Sequence, residues 1–250
     1  MRATVALSVV WLIAGCNDGP GPTPSPASLA LTPKSLILDA GSTAETMVIV
    51  KDARGQTIMN PTVTYVSRNG SAASVAATGT ISGIARGQSV VLATASGGTS
   101  PSDSLLAVVA VPGGPVLITD IAQIRYRRDT VFTVTVVMDM RASGELLGST
   151  TVNVNWNPAV LGYQSHVNGG SGVSPTVNAS SAATGSLTLA MADANGFGGR
   201  VELLKITFKA GSVAGAAGSL ALTTSEVAGA VTFTDLMART VAVTYPVSTR

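Results

Sequence analysis

The chain is nearly without the residues that most chemistry needs. Its 250 residues include one cysteine, Cys16, and one histidine, His166. Zinc centres draw on clusters of Cys and His, so none is expected. A lone cysteine leaves no internal disulfide, and whatever this chain folds into must hold together without one. His166 falls in "YQSHVNGG", read as a polar surface loop at a strand end, and no Cys–His nucleophile pair is available to it. Aromatic residues make up 4% and charged residues 11%, with a net charge of +2. No block of like charge appears, which argues against nucleic acid and acidic substrates as partners. The thirteen carboxylates are scattered singly. None is flanked by aromatics that would stack a sugar, although spacing alone leaves a glycosidase-like pair open. No glycine-rich phosphate loop follows a strand and opens a helix. The chain is therefore read as non-enzymatic, with no catalytic residues. Beyond the first twenty residues, the longest apolar run, Leu105 to Val111, is far short of the ~18–20 residues of a bilayer-spanning helix.

What is abundant is Val, Thr, Ser, Ala and Gly, a composition of strands and turns. The exception is the start. Arg2 precedes a mostly apolar run from Ala3 to Ala14, too short to span a membrane and suited to a secretory signal. The run ends in Ile13-Ala14-Gly15-Cys16, which resembles a bacterial lipobox. That resemblance implies cleavage after Gly15 and diacylglyceryl modification of the Cys16 sulfur. Two acyl chains hold a protein at a bilayer stably, at about 0.8 kcal/mol per buried CH₂. Next, "NDGPGPTPSPA" places prolines at 20, 22, 24 and 26 and predicts an extended spacer over residues 16–26. The expected location is the bacterial cell envelope, with the protein lipid-anchored at the outer membrane or cell surface. Asn17 stands where an aspartate would favour retention at the inner membrane.

Residues 27–111 read as a first β domain. Strands are expected at Ser28–Thr32, Thr46–Lys51, Thr62–Ser67, Val90–Ala95 and Leu105–Val111, with turns at "DARG" and "SRNG". Such spacing predicts a β-sandwich. The stretches "SLALTPKSLILDAGST", "VIVKDARGQTI" and "VTYVSRNGSAASVAATGTISGIARGQSVVLATA" resemble the bacterial immunoglobulin-like domain, group 2. Val75, Gly79, Ile81, Gly83 and Gly87 occupy that pattern's positions, and Tyr65 stands where the family often has Trp. The resemblance implies an Ig-like sandwich acting as spacer, stalk or adhesive module.

"PGGP" at 112–115 reads as a hinge, and residues 116–250 as a second β domain. Alternation is clean here. Phe132, Val134, Val136, Met138 and Met140 share one face, as do Val152, Val154 and Trp156, then Leu187, Leu189 and Met191, then Leu204, Ile206 and Phe208, then Val241, Val243 and Tyr245. The fold expected is all-β: two tandem sandwiches, Ig-like and then jelly-roll. "DTVFTVTVVMD", "GSTTVNVNWNPAVLGYQS", "GSLTLAMADANGFGGRVELLKITFKA" and "GSLALTTSEVAG" resemble the cohesin-like family, with Pro158, Val160 and Leu161 matching and Trp156 and Asn157 departing from its Tyr-Asp. That resemblance implies docking of a protein partner, with a dockerin-type module as one form of it. Carbohydrate-binding relatives of the same fold keep polysaccharide open as an alternative ligand, and a structural envelope lipoprotein without a ligand is the other alternative.

Candidate ligand residues are few. Asp193 and Asn195 in "DANGFGG" offer oxygens to Ca²⁺, against the reading of a plain glycine-rich turn with no cofactor. Trp156 is expected in the core. Tyr163 and Phe197 are placed in loops as candidates for ligand contact. Arg125, Arg127 and Arg128 around Tyr126 read as a charged strand edge that discourages aggregation.

Overall fold

The computed structural model describes residues 24–120 and 124–250. Gly15, Cys16 and most of the proline spacer lie outside the described residues. No helix of the described residues is long and apolar enough to cross a membrane.

The first group of strands comprises β1 (Pro26–Thr32), β2 (Ser35–Asp39), β3 (Thr43–Ala44), β4 (Met47–Asp52), β5 (Val63–Ser67), β6 (Ala73–Val75), β7 (Ile81–Gly83), β8 (Gly87–Ala95) and β9 (Ser102–Ala110). They form a β1–β4 ribbon, a β2–β9–β8–β5 sheet and a β3–β7–β6 sheet. Pro26, expected in the spacer, instead opens β1, and its carbonyl accepts the N–H of Thr99 at 3.2 Å. Leu31, Ile81, Val91, Leu105 and Val109 fill the core between them. The Asp52 turn forms as expected: its Oδ1 accepts the N–H groups of Arg54 and Gln56, both at 2.9 Å. Tyr65 lies at the core margin with its hydroxyl hydrogen-bonded to Thr46. Gly79, at φ +88°, packs so closely here that a Cβ would come within 2.8 Å of Thr46 Oγ1.

The second group comprises β10 (Val116–Thr119), β11 (Ile124–Tyr126), β12 (Val131–Asp139), β13 (Leu147–Trp156), β14 (Leu161–Asn168), β15 (Thr176–Asn178), β16 (Ser186–Phe197), β17 (Arg200–Ala210), β18 (Ala217–Gly229), β19 (Val241–Ala242) and β20 (Thr244–Thr249). A five-stranded sheet, β14–β17–β12–β10–β19, faces a six-stranded one, β11–β20–β18–β13–β16–β15. Every inward set read from alternation is buried or packed against the shared core. One irregularity departs from strict period two. The β12–β17 register passes from Val136↔Leu204 to Val137↔Glu202, so Leu203 is a bulge and both Leu203 and Leu204 are fully buried. The first and last strands each cross between the sheets: β10 runs parallel to β19 in one, β11 parallel to β20 in the other.

The two groups share a seam. Strand β9 is buried on both faces. Leu105, Ala107 and Val109 enter the first core, while Leu106, Val108 and Ala110 join the second. A strand covered on both sides carries no alternation, which is why its sequence is a continuous apolar run. Arg86 donates to the carbonyls of Ala238 (2.8 Å) and Thr240, and Gln88 exchanges two hydrogen bonds with the backbone of Thr244, each 2.7 Å. The "PGGP" segment is not the free hinge its composition predicts. Arg239 donates to the carbonyl of Gly113, Val241 N–H donates to Pro115 O at 3.1 Å, and a Cβ on Gly114 would collide with the Arg239 carbonyl.

Candidate binding faces

The inward pointing of Val152, Val154 and Trp156 turns Thr151, Asn153 and Asn155 outward on β13. Beside them β16 presents Ser186, Thr188, Ala190 and Ala192, and β18 presents Ala221 and Thr223. The side chains are tied across the strands. Thr188 Oγ1 donates to Asn153 Oδ1 at 2.7 Å, and Ser186 Oγ donates to Asn155 Oδ1 at 3.0 Å. The carboxylate of Glu226 accepts from Ser149 at 2.5 Å and Thr151 at 3.4 Å. This face is short-chained, and Glu226 is the one charge among these side chains. Such short side chains lose little rotamer entropy on contact. The outer face of the opposite sheet differs. It carries the ion pairs Lys205–Glu202 and Lys209–Asp129, both 3.2 Å, and part of it is covered at the seam.

Two depressions adjoin on the polar face. One, of about 300 Å³, has a floor of Gly148, Ala192, Ala228 and Gly229 with Phe233 at its rim. The other, of about 380 Å³, is lined by Thr151, Thr176, Ala190 and Glu226, and both include Ser149 and Ala192. Phe233 is 81% exposed and its neighbour Val231 66%. Phe233 also sits at φ +54°, a left-handed conformation that is strained for an aromatic residue. Sequence reasoning missed it. The available signal was an aromatic between two threonines in a segment without period-two alternation.

Several of the residues singled out from sequence occupy other settings than those expected. Tyr163 and Phe197 lie in strands β14 and β16, not loops, and both pack against the core. Tyr163 lies 6.3 Å from Trp156, ring centroid to centroid, and Trp156 meets Phe208 edge-on at 5.1 Å. Trp156 is buried as expected, at 6% exposure, and its Nε1 has no hydrogen-bond partner among the described residues. His166 is likewise within β14, its Nδ1 sharing a 2.6 Å hydrogen bond with the Tyr163 hydroxyl. Asp193 turns its Oδ1 back onto its own loop, accepting the N–H groups of Asn195 (2.8 Å) and Gly196 (3.1 Å). Among the described residues no three His, Cys, Asp or Glu side chains gather as a metal site. Arg125 is on the edge strand β11, and Arg127 and Arg128 are in the turn after it.

The seam holds a buried carboxylate with a shifted pKa. Asp139 is 7% exposed, and Arg141 forks onto it, with Nη2–Oδ2 at 2.6 Å and Nε–Oδ1 at 2.9 Å. Arg200 stands 3.9 Å away. Burial alone would raise the Asp139 pKa, but hydrogen bonds and charge from Arg141 outweigh it and hold it below the usual carboxylate range.

Residues 27–102 match the family model of the bacterial Ig-like domain, group 2. No curated protein matches the chain. Among solved structures, a non-cellulosomal cohesin from Archaeoglobus fulgidus is similar at 13% identity and TM-score 0.44, over 55% of this chain and 91% of that one. The sixth cohesin of scaffoldin B from Acetivibrio cellulolyticus, solved in complex with a Cel5 dockerin, is similar at 15% identity and TM-score 0.45, over 55% of this chain and 99% of that one. The seventh ScaB type I cohesin from Pseudobacteroides cellulosolvens gives 12% identity and TM-score 0.46, over 55% and 92%.

Proposed function

We propose that this is an exported, lipid-anchored, non-enzymatic protein of the bacterial cell envelope, whose second sandwich docks a protein partner. The anchor is the acylated Cys16, the proline spacer stands between it and the first sandwich, and the first sandwich holds the second away from the bilayer. The observation that carries the docking reading is the outer face of the six-stranded sheet. It is short-chained, with Glu226 and the edge residue Arg125 as its charges, and ends in an exposed aromatic beside a glycine and alanine hollow. Protein interfaces are commonly anchored by an aromatic in a hollow next to polar surface, and Phe233 beside its glycine and alanine hollow, adjoining the Asn and Thr side chains, supplies that combination. The segment resemblance across residues 116–250 supports a partner of the dockerin type. The non-enzymatic reading is supported by the state of the reactive groups: His166 is bound to Tyr163, Asp193 caps its own loop, and Asp139 is locked to Arg141.

The test is quantitative capture from the native secretome with the full-length processed chain as bait. The variant Asn153→Arg/Thr188→Arg places two charges at the centre of the face, and Phe233→Ala removes the rim aromatic. The expected result is a defined secreted protein retained by the wild type and reduced at least about tenfold by either variant. Equal retention by wild type and variants, or nothing above background, would refute the docking face.

A further inference from the structure

Read along the sequence, the basic residues are dispersed. The fold gathers several of them at one tip. Arg127 and Arg128 follow β11, and Arg250 follows β20. The parallel pairing of these strands sets Tyr126 opposite Thr249. Backbone bonds lock the join: Arg128 N–H donates to Arg250 O at 3.2 Å, and Arg250 N–H donates to Tyr126 O at 2.8 Å. The result is an open depression of about 760 Å³ lined by Arg127, Arg128, Asp129 and Arg250. Arg125 is exposed on the adjoining strand. The one carboxylate side chain, Asp129, is already paired with Lys209 at 3.2 Å. None of the four guanidinium groups has a hydrogen bond or ion pair among the described residues. The frame is firm: the Tyr126 ring stacks on Phe132, and Thr130 Oγ1 donates to Arg127 O at 2.7 Å.

Edge protection accounts for charge on β11, but not for Arg128 and Arg250 converging on the same hollow from outside that strand. We infer that this tip is a binding site for an acidic polysaccharide, a hydrophilic chain whose carboxylates pair with the four guanidinium groups. Planar guanidinium forks match carboxylates bidentately. The hollow is lined by charged residues alone, without the apolar centre a protein partner would need. Its concavity suits a flexible polymer better than a planar bilayer. The nearby aromatic rings are stacked on each other, which disfavours single-stranded nucleic acid, whose bases need free aromatic faces. The site is also remote from the seam. Strand β20 runs from Thr244, bonded to Gln88, to Thr249, about 17 Å at 3.3 Å per residue. The inference does not rest on the docking reading: Arg127, Arg128 and Arg250 lie beyond the ends of β11 and β20, and only Arg125 stands on the edge of the six-stranded sheet.

The test measures binding of the processed chain to polygalacturonate by biolayer interferometry over a range of salt. Methyl-esterified polygalacturonate, phosphatidylglycerol vesicles and oligo-dT serve as alternative probes. The triple variant Arg125→Gln/Arg127→Gln/Arg128→Gln is compared with Lys51→Gln/Arg54→Gln/Arg68→Gln, which removes the same charge from exposed positions of the first sandwich. The expected result is salt-sensitive binding to the acid polymer, weak for its ester, and lost about ten- to a hundredfold in the tip variant alone. Equal loss in both variants, no loss in either, no binding at all, or preference for vesicles or oligo-dT would overturn the assignment. All six substituted side chains are exposed, and both variants are required to give circular dichroism spectra matching the wild type.

Discussion

At the scale of single residues, the seam carboxylate makes the sharpest case. Asp139 has a folded-state pKa below that of the unfolded chain, so its pairing stabilises the protein above the ordinary carboxylate range. That contribution fades as pH falls through the folded value. Asp139→Asn is therefore expected to cost about 1–2 kcal/mol at pH 7, discounted because Arg141 is largely exposed and regains water when released. Urea titrations should show the gap at pH 7 and its narrowing as pH falls below the ordinary carboxylate range, whereas a gap independent of pH would assign the loss to packing. Neither Asp139 nor its partners stood out in the sequence, because "MDMRA" shows the pair but not the burial that gives it weight. Burial of Trp156 was legible from alternation. Burial of Tyr163 was not: β14 has an irregular register and little period-two signal, so its tyrosine read as loop.

At the scale of elements, alternation exposed the strands with one wet face and failed where that condition fails. Strands β13, β16, β17 and β20 each have an inward and an outward set, and the sequence shows them. Strands β6 and β7 are three residues long, too short to display a period. Strand β9 is dry on both sides because its second face meets another part of the chain, and a local pattern cannot encode a distant cover. The same strand yields a prediction. Leu105 and Leu106 are adjacent and both buried, yet they serve different cores. Each truncation to Ala is expected to cost about 2–4 kcal/mol. By scanning calorimetry, Leu105→Ala should lower the stability of the first sandwich. Leu106→Ala combined with Arg86→Ala should uncouple the halves and split one endotherm into two. A single unshifted endotherm in the second variant would show that the seam is not coupling them.

At the scale of the whole molecule, charge and shape are properties the linear chain conceals. A net charge of +2 and scattered arginines argued against acidic partners, but pairing of β11 with β20 brings Arg250 to Arg127 and Arg128 across more than a hundred residues. Likewise the glycine-proline connector that reads as a hinge is pinned by Arg239 and continued by a shared apolar seam. The two sandwiches thus share one seam, and the arginine-lined tip lies at the far end of β20 from it. The function proposed for this pair is display from a lipid anchor at Cys16. The most direct measurement is the intact mass and N-terminal peptide of the protein recovered from its native host, with Cys16→Ala alongside. The account predicts a chain beginning at Cys16 with a mass excess for at least two acyl groups, partitioning into detergent, and loss of both features in Cys16→Ala. An unmodified chain that retains Met1 to Gly15 and stays in the aqueous phase would contradict it.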